Sequence, residues 1–267
     1  MKQFLFSSVL IGALVYSIMV AWLYFYQSNL LYFPDTSKPA PAVAGFPDME
    51  VVSFAASDGL EIYGWYKPAA PGKATIVYFH GNAGNLLNHS WIARPLIEAG
   101  YGVLLVEYRG FGGNPGAPSE AGLKADGRGA TEFLKGLGIP EGDLVFFGMS
   151  LGTGIAVALA AEYSPHALVL QSPYTSIAAA GQHHYWYMPV KFLIKDRFDS
   201  LAPIQNVSAP VLVVYATADR IIPPDLSVAL FEAANEPKTL KMIENTGHND
   251  LADEGGIDAV LEFLGTL

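Results

Sequence analysis

An open, mostly parallel α/β sheet of eight strands flanked by helices is the fold this sequence predicts. Two observations lead there. Over residues 49–267, short β-branched runs alternate with longer helical patterns. The middle runs, ATIVYFH, GVLLVEY, DLVFFG, ALVLQS and PVLVVYA, are apolar on both faces. Parallel strands covered by helices on each side have this character, whereas half-exposed strands alternate polar with apolar.

The elements follow in chain order. Phe4 to Tyr26 holds no charged residue. As a helix it would span about 34 Å, enough to cross a bilayer. Trp22, Tyr24, Phe25 and Tyr26 gather at its far end, where aromatic rings favour the headgroup region. A signal peptide would have a shorter apolar core and a small-x-small cleavage site. WLYFYQSNLLYF follows instead. The reading is therefore an uncleaved single-pass anchor over residues 1–27, with residues 4–26 in the membrane. Lys2 and the terminal amine precede the span, and the next basic residue is Lys38. The positive-inside rule then sets the rest of the chain on the non-cytoplasmic side, facing a periplasm or a lumen. Residues 28–48 read as a linker, and the Pro- and Ala-rich part 33–48 as a linker or an extended arm against the domain.

The domain proper is 49–267. Strands are expected at Glu50–Phe54, Leu60–Tyr66, Thr75–Phe79, Gly102–Tyr108, Asp143–Phe147, Ala167–Leu170, Val211–Ala216 and Lys238–Ile243. The first two precede any helix, so they should begin the sheet antiparallel. Helical patterns cover Leu86–Ala99, Ser119–Leu137, Leu151–Glu162, Pro224–Ala234 and Gly256–Leu264. Residues 173–200 fit neither class and suggest a short cap insertion. Its Tyr185, Trp186, Tyr187 and Met188 offer an apolar, adaptable wall for a substrate.

Composition narrows the function classes. The net charge is −10 with no basic cluster, which excludes the phosphate neutralisation that nucleic-acid binding needs. The chain has no cysteine, so it has no disulfide, thiolate nucleophile or thiolate metal site. No cofactor or metal is expected. His183 and His184 are adjacent without an acidic partner nearby. Tyr108-Arg109-Gly110-Phe111-Gly112 lacks both the Walker lysine and the dinucleotide spacing, and Arg109 reads as a tie between loops.

Gly148-Met149-Ser150-Leu151-Gly152 matches G-x-S-x-G between a strand and a helix. That context is the nucleophile elbow, where small flanking residues let strand and helix approach closely. A serine needs a base, and the expected chain order is serine, acid, histidine. Asp219 follows VLVVYA, and His248 follows LKMIE, so both stand beyond the C-terminal ends of strands, as Ser150 does. Asp250 and Asp196 are rival acids by composition only. The oxyanion hole should use the backbone N–H of Leu151 and one from the loop His80–Asn85, assigned to Asn82. His80 itself stands at a strand end, where it would order that loop.

HGNAGN, YRGFGGNPGAPSE, GMSLG, SPYTS, ADRIIP and GHND, in this order behind an N-terminal anchor, resemble the bud-emergence-type proteins of the α/β-hydrolase superfamily. The resemblance covers about residues 28–267, including the juxtamembrane QSNLLYFP. It implies the α/β-hydrolase fold and Ser150, Asp219 and His248 as triad. Animal relatives include membrane-associated proteins, some of them palmitoyl-protein thioesterases. Asn114 and Thr153 depart from the serine and glycine often found at those positions, which touches loop geometry and not the chemistry.

Together these readings give a serine hydrolase of carboxylic esters or thioesters, acting through an acyl-serine on a small or lipid-like acyl substrate. An acyltransferase with the same triad and a catalytically silent scaffold are the alternatives. A peptidase is disfavoured because no gating domain is present. An apolar cap rewards burial of a hydrocarbon chain by about 0.8 kcal/mol per methylene at best.

Overall fold

The computed structural model describes residues 2–267. Met1 and the side chain of Lys2, on which the expected orientation rests, lie outside the described residues. In chain order the elements are α1 (Lys2–Leu31), β1 (Phe33–Pro34), β2 (Glu50–Ala55), β3 (Glu61–Lys67), β4 (Thr75–Phe79) and β5 (Ala83–Gly84). There follow α2 (Leu86–His89), α3 (Ala93–Glu98), β6 (Gly102–Val106), α4 (Glu120–Gly136), β7 (Leu144–Met149), α5 (Leu151–Glu162) and β8 (Ala167–Gln171). The chain ends with α6 (Ile177–His184), α7 (Val190–Leu193), α8 (Leu201–Ile204), β9 (Val211–Ala216), α9 (Pro224–Ala233), β10 (Lys238–Ile243) and α10 (Ile257–Leu264).

Eight strands form one sheet in the order β10-β9-β8-β7-β4-β6-β3-β2. β2–β3 and β3–β6 pair antiparallel, and the other neighbours are parallel. The continuous apolar runs bury both faces. Ile76 and Tyr78 of β4 and Val145 and Phe147 of β7 meet Leu96 of α3 and Val260 of α10. Val77, Phe79, Leu144 and Phe146 pack in the opposite layer with Leu134 of α4, Ile155 of α5 and Leu230 of α9. Each such side chain contributes roughly 1.5–3 kcal/mol by leaving water. After β4 the chain crosses to β6 on one side and later returns to β7 on the other. A crevice therefore opens beyond the C-terminal ends of the central strands.

Two helical expectations changed in detail. The pattern over Leu86–Ala99 is broken into α2, a 3₁₀ turn at Ser90–Ile92, and α3. Pro95 has no N–H to give the carbonyl of Trp91, and its ring crowds that carbonyl, so the turn before it tightens. The segment 173–200 holds the short helices α6 and α7, and α8 follows directly. α6 starts where the Ser176 hydroxyl accepts the Ala179 N–H. Four-residue helices such as α7 and α8 carry no readable period.

α1 runs four residues past the expected anchor boundary, to Leu31. Val20, Leu23, Gln27 and Leu31 form a half-buried stripe at helical spacing while the residues between them are exposed. Of the two readings of the segment before the domain, linker or extended arm, the structure has the arm. β1 pairs parallel with β5, Pro41–Ala44 forms a 3₁₀ turn, and Phe46 and Met49 are buried.

α5 lies close against β4 and β7 because its first turn lacks side-chain bulk. A Cβ on Gly148 would come within 2.5 Å of the Gly152 carbonyl oxygen, and one on Gly152 would collide with the Phe79 carbonyl. Both obstacles are backbone and cannot rotate away. Gly152→Ala is therefore expected to lower stability by about 3 kcal/mol, read as a fall in the chemical-denaturation midpoint. An unchanged midpoint would mean that this contact is looser than described.

Candidate active site

Ser150 occupies the turn between β7 and α5 with φ 51° and ψ −118°. A non-glycine residue in this region is strained and needs its surroundings to hold it. Its N–H donates to the Gln171 carbonyl at 2.9 Å. The Thr153 hydroxyl donates to the Ser150 carbonyl at 2.6 Å. The hydroxyl of Ser150 is thereby lifted to the sheet's C-terminal edge.

Asp219 follows β9 and His248 follows β10, so the same edge carries both. One Asp219 oxygen, Oδ1, accepts the N–H groups of Ile221 and Ile222, each at 2.8 Å. The other, Oδ2, lies 2.6 Å from His248 Nδ1. A carboxylate can only accept, so Nδ1 carries the proton and Nε2 is left as the acceptor. Nε2 faces Ser150 Oγ at 3.0 Å. The rival acids are elsewhere. Asp196 accepts from the Tyr32 hydroxyl and the Glu120 N–H, and Asp250 is exposed.

Asn82 and Leu151 border the same cavity as Ser150. Leu151 is the first residue of α5, so its N–H has no partner within the helix. The Asn82 peptide is fixed from outside: its carbonyl accepts the Phe33 N–H at 2.8 Å, and its side-chain amide donates to the Leu31 carbonyl at 2.7 Å.

The cavity measures about 630 Å³, within the usual range for small-molecule sites. Tyr185 and Met188 of the cap line it. Trp186 and Tyr187 do not, which corrects the expectation that all four would. The Met188 N–H bonds back to the Tyr185 carbonyl, closing a turn whose ends face inward and whose middle residues face out. Trp186 is accordingly 80% exposed. Unforeseen wall residues come from α1: Leu23, Tyr24, Gln27, Leu30 and Leu31. The one signal for them in the sequence is Gln27-Ser28-Asn29, where polar residues interrupt an otherwise apolar helix end.

The serine aminopeptidase S33 family matches residues 70–203. An uncharacterised protein of Mycobacterium tuberculosis is 40% identical over 262 residues, covering 96% of this chain and 93% of its own. The protein bem46 of Schizosaccharomyces pombe is 30% identical over 285 residues, covering 97% and 95%. This chain belongs to the S33 family of α/β-hydrolases. Among solved structures, a Pyrococcus furiosus esterase superposes with a TM-score of 0.71 at 18% identity, over 88% of this chain and 97% of its own. The family makes this an α/β serine hydrolase.

Two features of this S33 hydrolase lie outside the cavity, a set of polar ties made by Asn114 and Arg109 and a buried cluster. Asn114, one of the two departures from the common motif, accepts the Tyr63 N–H and donates to the Glu107 carbonyl. Arg109 ties three segments: it donates to the Asp58 carboxylate through both terminal nitrogens and to Asp126 through Nε and one of them. The second feature is a buried cluster that sequence reading missed. Glu107 and His80 are fully buried, with Oε1 and Nε2 3.2 Å apart. His80 Nδ1 donates to the Gly81 carbonyl at 2.8 Å, and Glu107 Oε2 accepts the Leu86 N–H at 2.9 Å. His89 stacks on His80 and donates to the Ala83 carbonyl.

Burial pushes Glu107 up to about 8 and His80 down to about 4. Burial thus favours the neutral form of each, and Glu107 Oε1 faces His80 Nε2 at 3.2 Å. The sign for stability follows. Glu107 is raised in the fold, so its contribution is complete below the ordinary carboxylate value of 4.5 and is lost as pH rises through about 8. His80 is depressed, so its contribution is present above 6.5 and is lost as pH falls through about 4. Glu107→Gln keeps an acceptor for Leu86 and a donor for His80 with no proton to lose. The wild type is expected to lose Tm between pH 6 and 9, and Glu107→Gln to lose measurably less. Parallel Tm curves for the two proteins would refute the neutral acid.

Proposed function

We propose that this protein hydrolyses carboxylic esters or thioesters through an acyl-serine formed on Ser150. The carrying observation is the hydrogen-bonded series Ser150–His248–Asp219, whose serine end lines an apolar cavity. The Ser150 hydroxyl attacks the substrate carbonyl carbon while His248 Nε2 takes its proton. The amides of Asn82 and Leu151 hold the developing oxyanion. The carbon–oxygen or carbon–sulfur bond to the leaving group breaks, and His248 returns the proton to that alcohol or thiol. Water, activated by the same nitrogen, then attacks the acyl-serine and releases the acid. Asp219 stays ionised, holds the tautomer and offsets the imidazolium charge.

The cavity lining contains no carboxylate, and its charged side chain is Arg220. An aminopeptidase must receive a cationic amino terminus, so the lining favours acyl substrates over peptides despite the family's label. An acyltransferase would use the same first half-reaction. Mass spectrometry after rapid acid quench of a p-nitrophenyl ester reaction is the test: the peptide bearing Ser150 should gain one acyl mass. Turnover with no acyl mass on that peptide at any quench time would overturn the acyl-serine route.

We also read α1 as an uncleaved membrane anchor. The helix is long and apolar enough to span a bilayer, and its last turns are hydrogen-bonded into the domain, which a removed leader would not be. Full-length protein should resist alkaline carbonate extraction, and a mature chain starting beyond Tyr26 would contradict the reading.

A further inference from the structure

We infer that the last turns of α1 form one wall of the acyl site, and that the substrate is a bilayer-resident acyl ester or thioester whose chain reaches Ser150 along that wall. The inference rests on the hydrolase reading of Ser150. Leu23 and Leu31 both line the cavity, so the cavity follows the helix axis for about 12 Å. The facing wall is the cap, through Ile177, Ala180, Met188, Val190 and Leu193. Both walls are mainly apolar, interrupted by Gln27 on the helix and His184 on the cap side, and Arg220 is the charged side chain among the lining residues.

The cap is fastened to this helix. Gln27 donates to the Leu193 carbonyl at 3.2 Å and accepts the Lys195 N–H at 2.7 Å. The Lys195 ammonium stands 4.6 Å over the Tyr24 ring, and the Tyr16 hydroxyl donates to the Tyr187 carbonyl. At the inner end, the Leu31 carbonyl takes the Asn82 side-chain amide beside Ser150. At the outer end, the same helix continues as a bare apolar cylinder, with Leu14, Val15 and Ile18 exposed. A bare apolar helix belongs in lipid. The helix thus joins the membrane interior to the reactive serine by a mainly apolar surface on which Gln27 is tied up by the cap backbone. A chain moving along it stays out of water, whereas an acyl ester arriving from solution would have to pass the cap.

The test uses full-length protein in phosphatidylcholine vesicles and reads kcat/KM for p-nitrophenyl palmitate against p-nitrophenyl acetate. Trp in place of Leu30 or Leu23 removes room for roughly two methylenes, which lowers the palmitate-to-acetate ratio about tenfold. Val15→Trp, on the exposed stretch, should leave the ratio within twofold. A ratio unmoved by Leu30→Trp and Leu23→Trp overturns the inference. A second measurement reads occupancy without turnover. A diazirine-bearing palmitate in the same vesicles should crosslink to cap residues around Met188, and Leu30→Trp should abolish that product. Crosslinking at the cap that persists in Leu30→Trp, or none in the wild type, overturns the inference. If neither ester is cleaved while the crosslink forms and is lost in Leu30→Trp, the acyl wall stands and the hydrolase reading fails.

Discussion

Ser150→Ala is expected to abolish ester turnover, with kcat falling by about five to six orders of magnitude, and to end labelling by a fluorophosphonate probe. The reason is local. The hydroxyl is the group within hydrogen-bond reach of His248 Nε2, at 3.0 Å, and without it the imidazole can activate only water. The fold should survive, because the backbone at Ser150 is held by Gln171 and Thr153 through main-chain atoms that the substitution leaves in place. Alanine adopts φ 51° at the same steric cost as serine. Full probe labelling in Ser150→Ala, or activity within tenfold of wild type, would remove Ser150 from the reaction.

Asp219→Asn should cost about 10⁴ in kcat while Tm stays within about 3 °C. The asymmetry of the carboxylate explains both halves. Oδ1 holds the turn by accepting the Ile221 and Ile222 N–H groups, and an asparagine oxygen can do the same. Oδ2 takes the Nδ1 proton of His248, and an amide nitrogen cannot. The imidazole would then carry its proton on Nε2 and present a donor to Ser150, so the base is lost and the frame is kept. A loss below tenfold would show that another group orients His248. A large fall in Tm would show that Asp219 acts chiefly as a turn residue.

Much of this was legible in the residues because the chemistry and the fold leave the same marks. The strands β4, β6, β7, β8 and β9 bury both faces, so their apolar runs carry a strong signal. The elbow serine must sit between small residues, and Gly148 and Gly152 could be read for that reason. Asp219 and His248 follow from strand ends and chain order. The missed parts depend on distant contacts. Trp186 and Tyr187 were assigned to the cavity on type alone, and the turn at Tyr185–Met188 directs them outward. Residues 33–48 read by composition as a linker or a docked arm, but composition does not reveal that Phe33 pairs with Asn82, 49 positions away. The buried Glu107–His80 contact joins two strand ends, and in sequence each looks like an ordinary polar residue closing a strand.

The parallel ladder between β1 and β5 sets a rule for anyone preparing this protein without its helix. Phe33 and Leu31 are the residues that hold the Asn82 peptide from outside. A soluble version truncated at residue 27 keeps both grips, but a cut at the apparent start of the domain, near residue 49, discards them. The shorter product would keep all eight strands of the main sheet but lose Tyr32 from one of its core layers. It would also lack the support for Asn82, whose amide is one of the two proposed to hold the oxyanion. Screening substrates with such a product would measure the loss of a loop and mistake it for the selectivity of the enzyme.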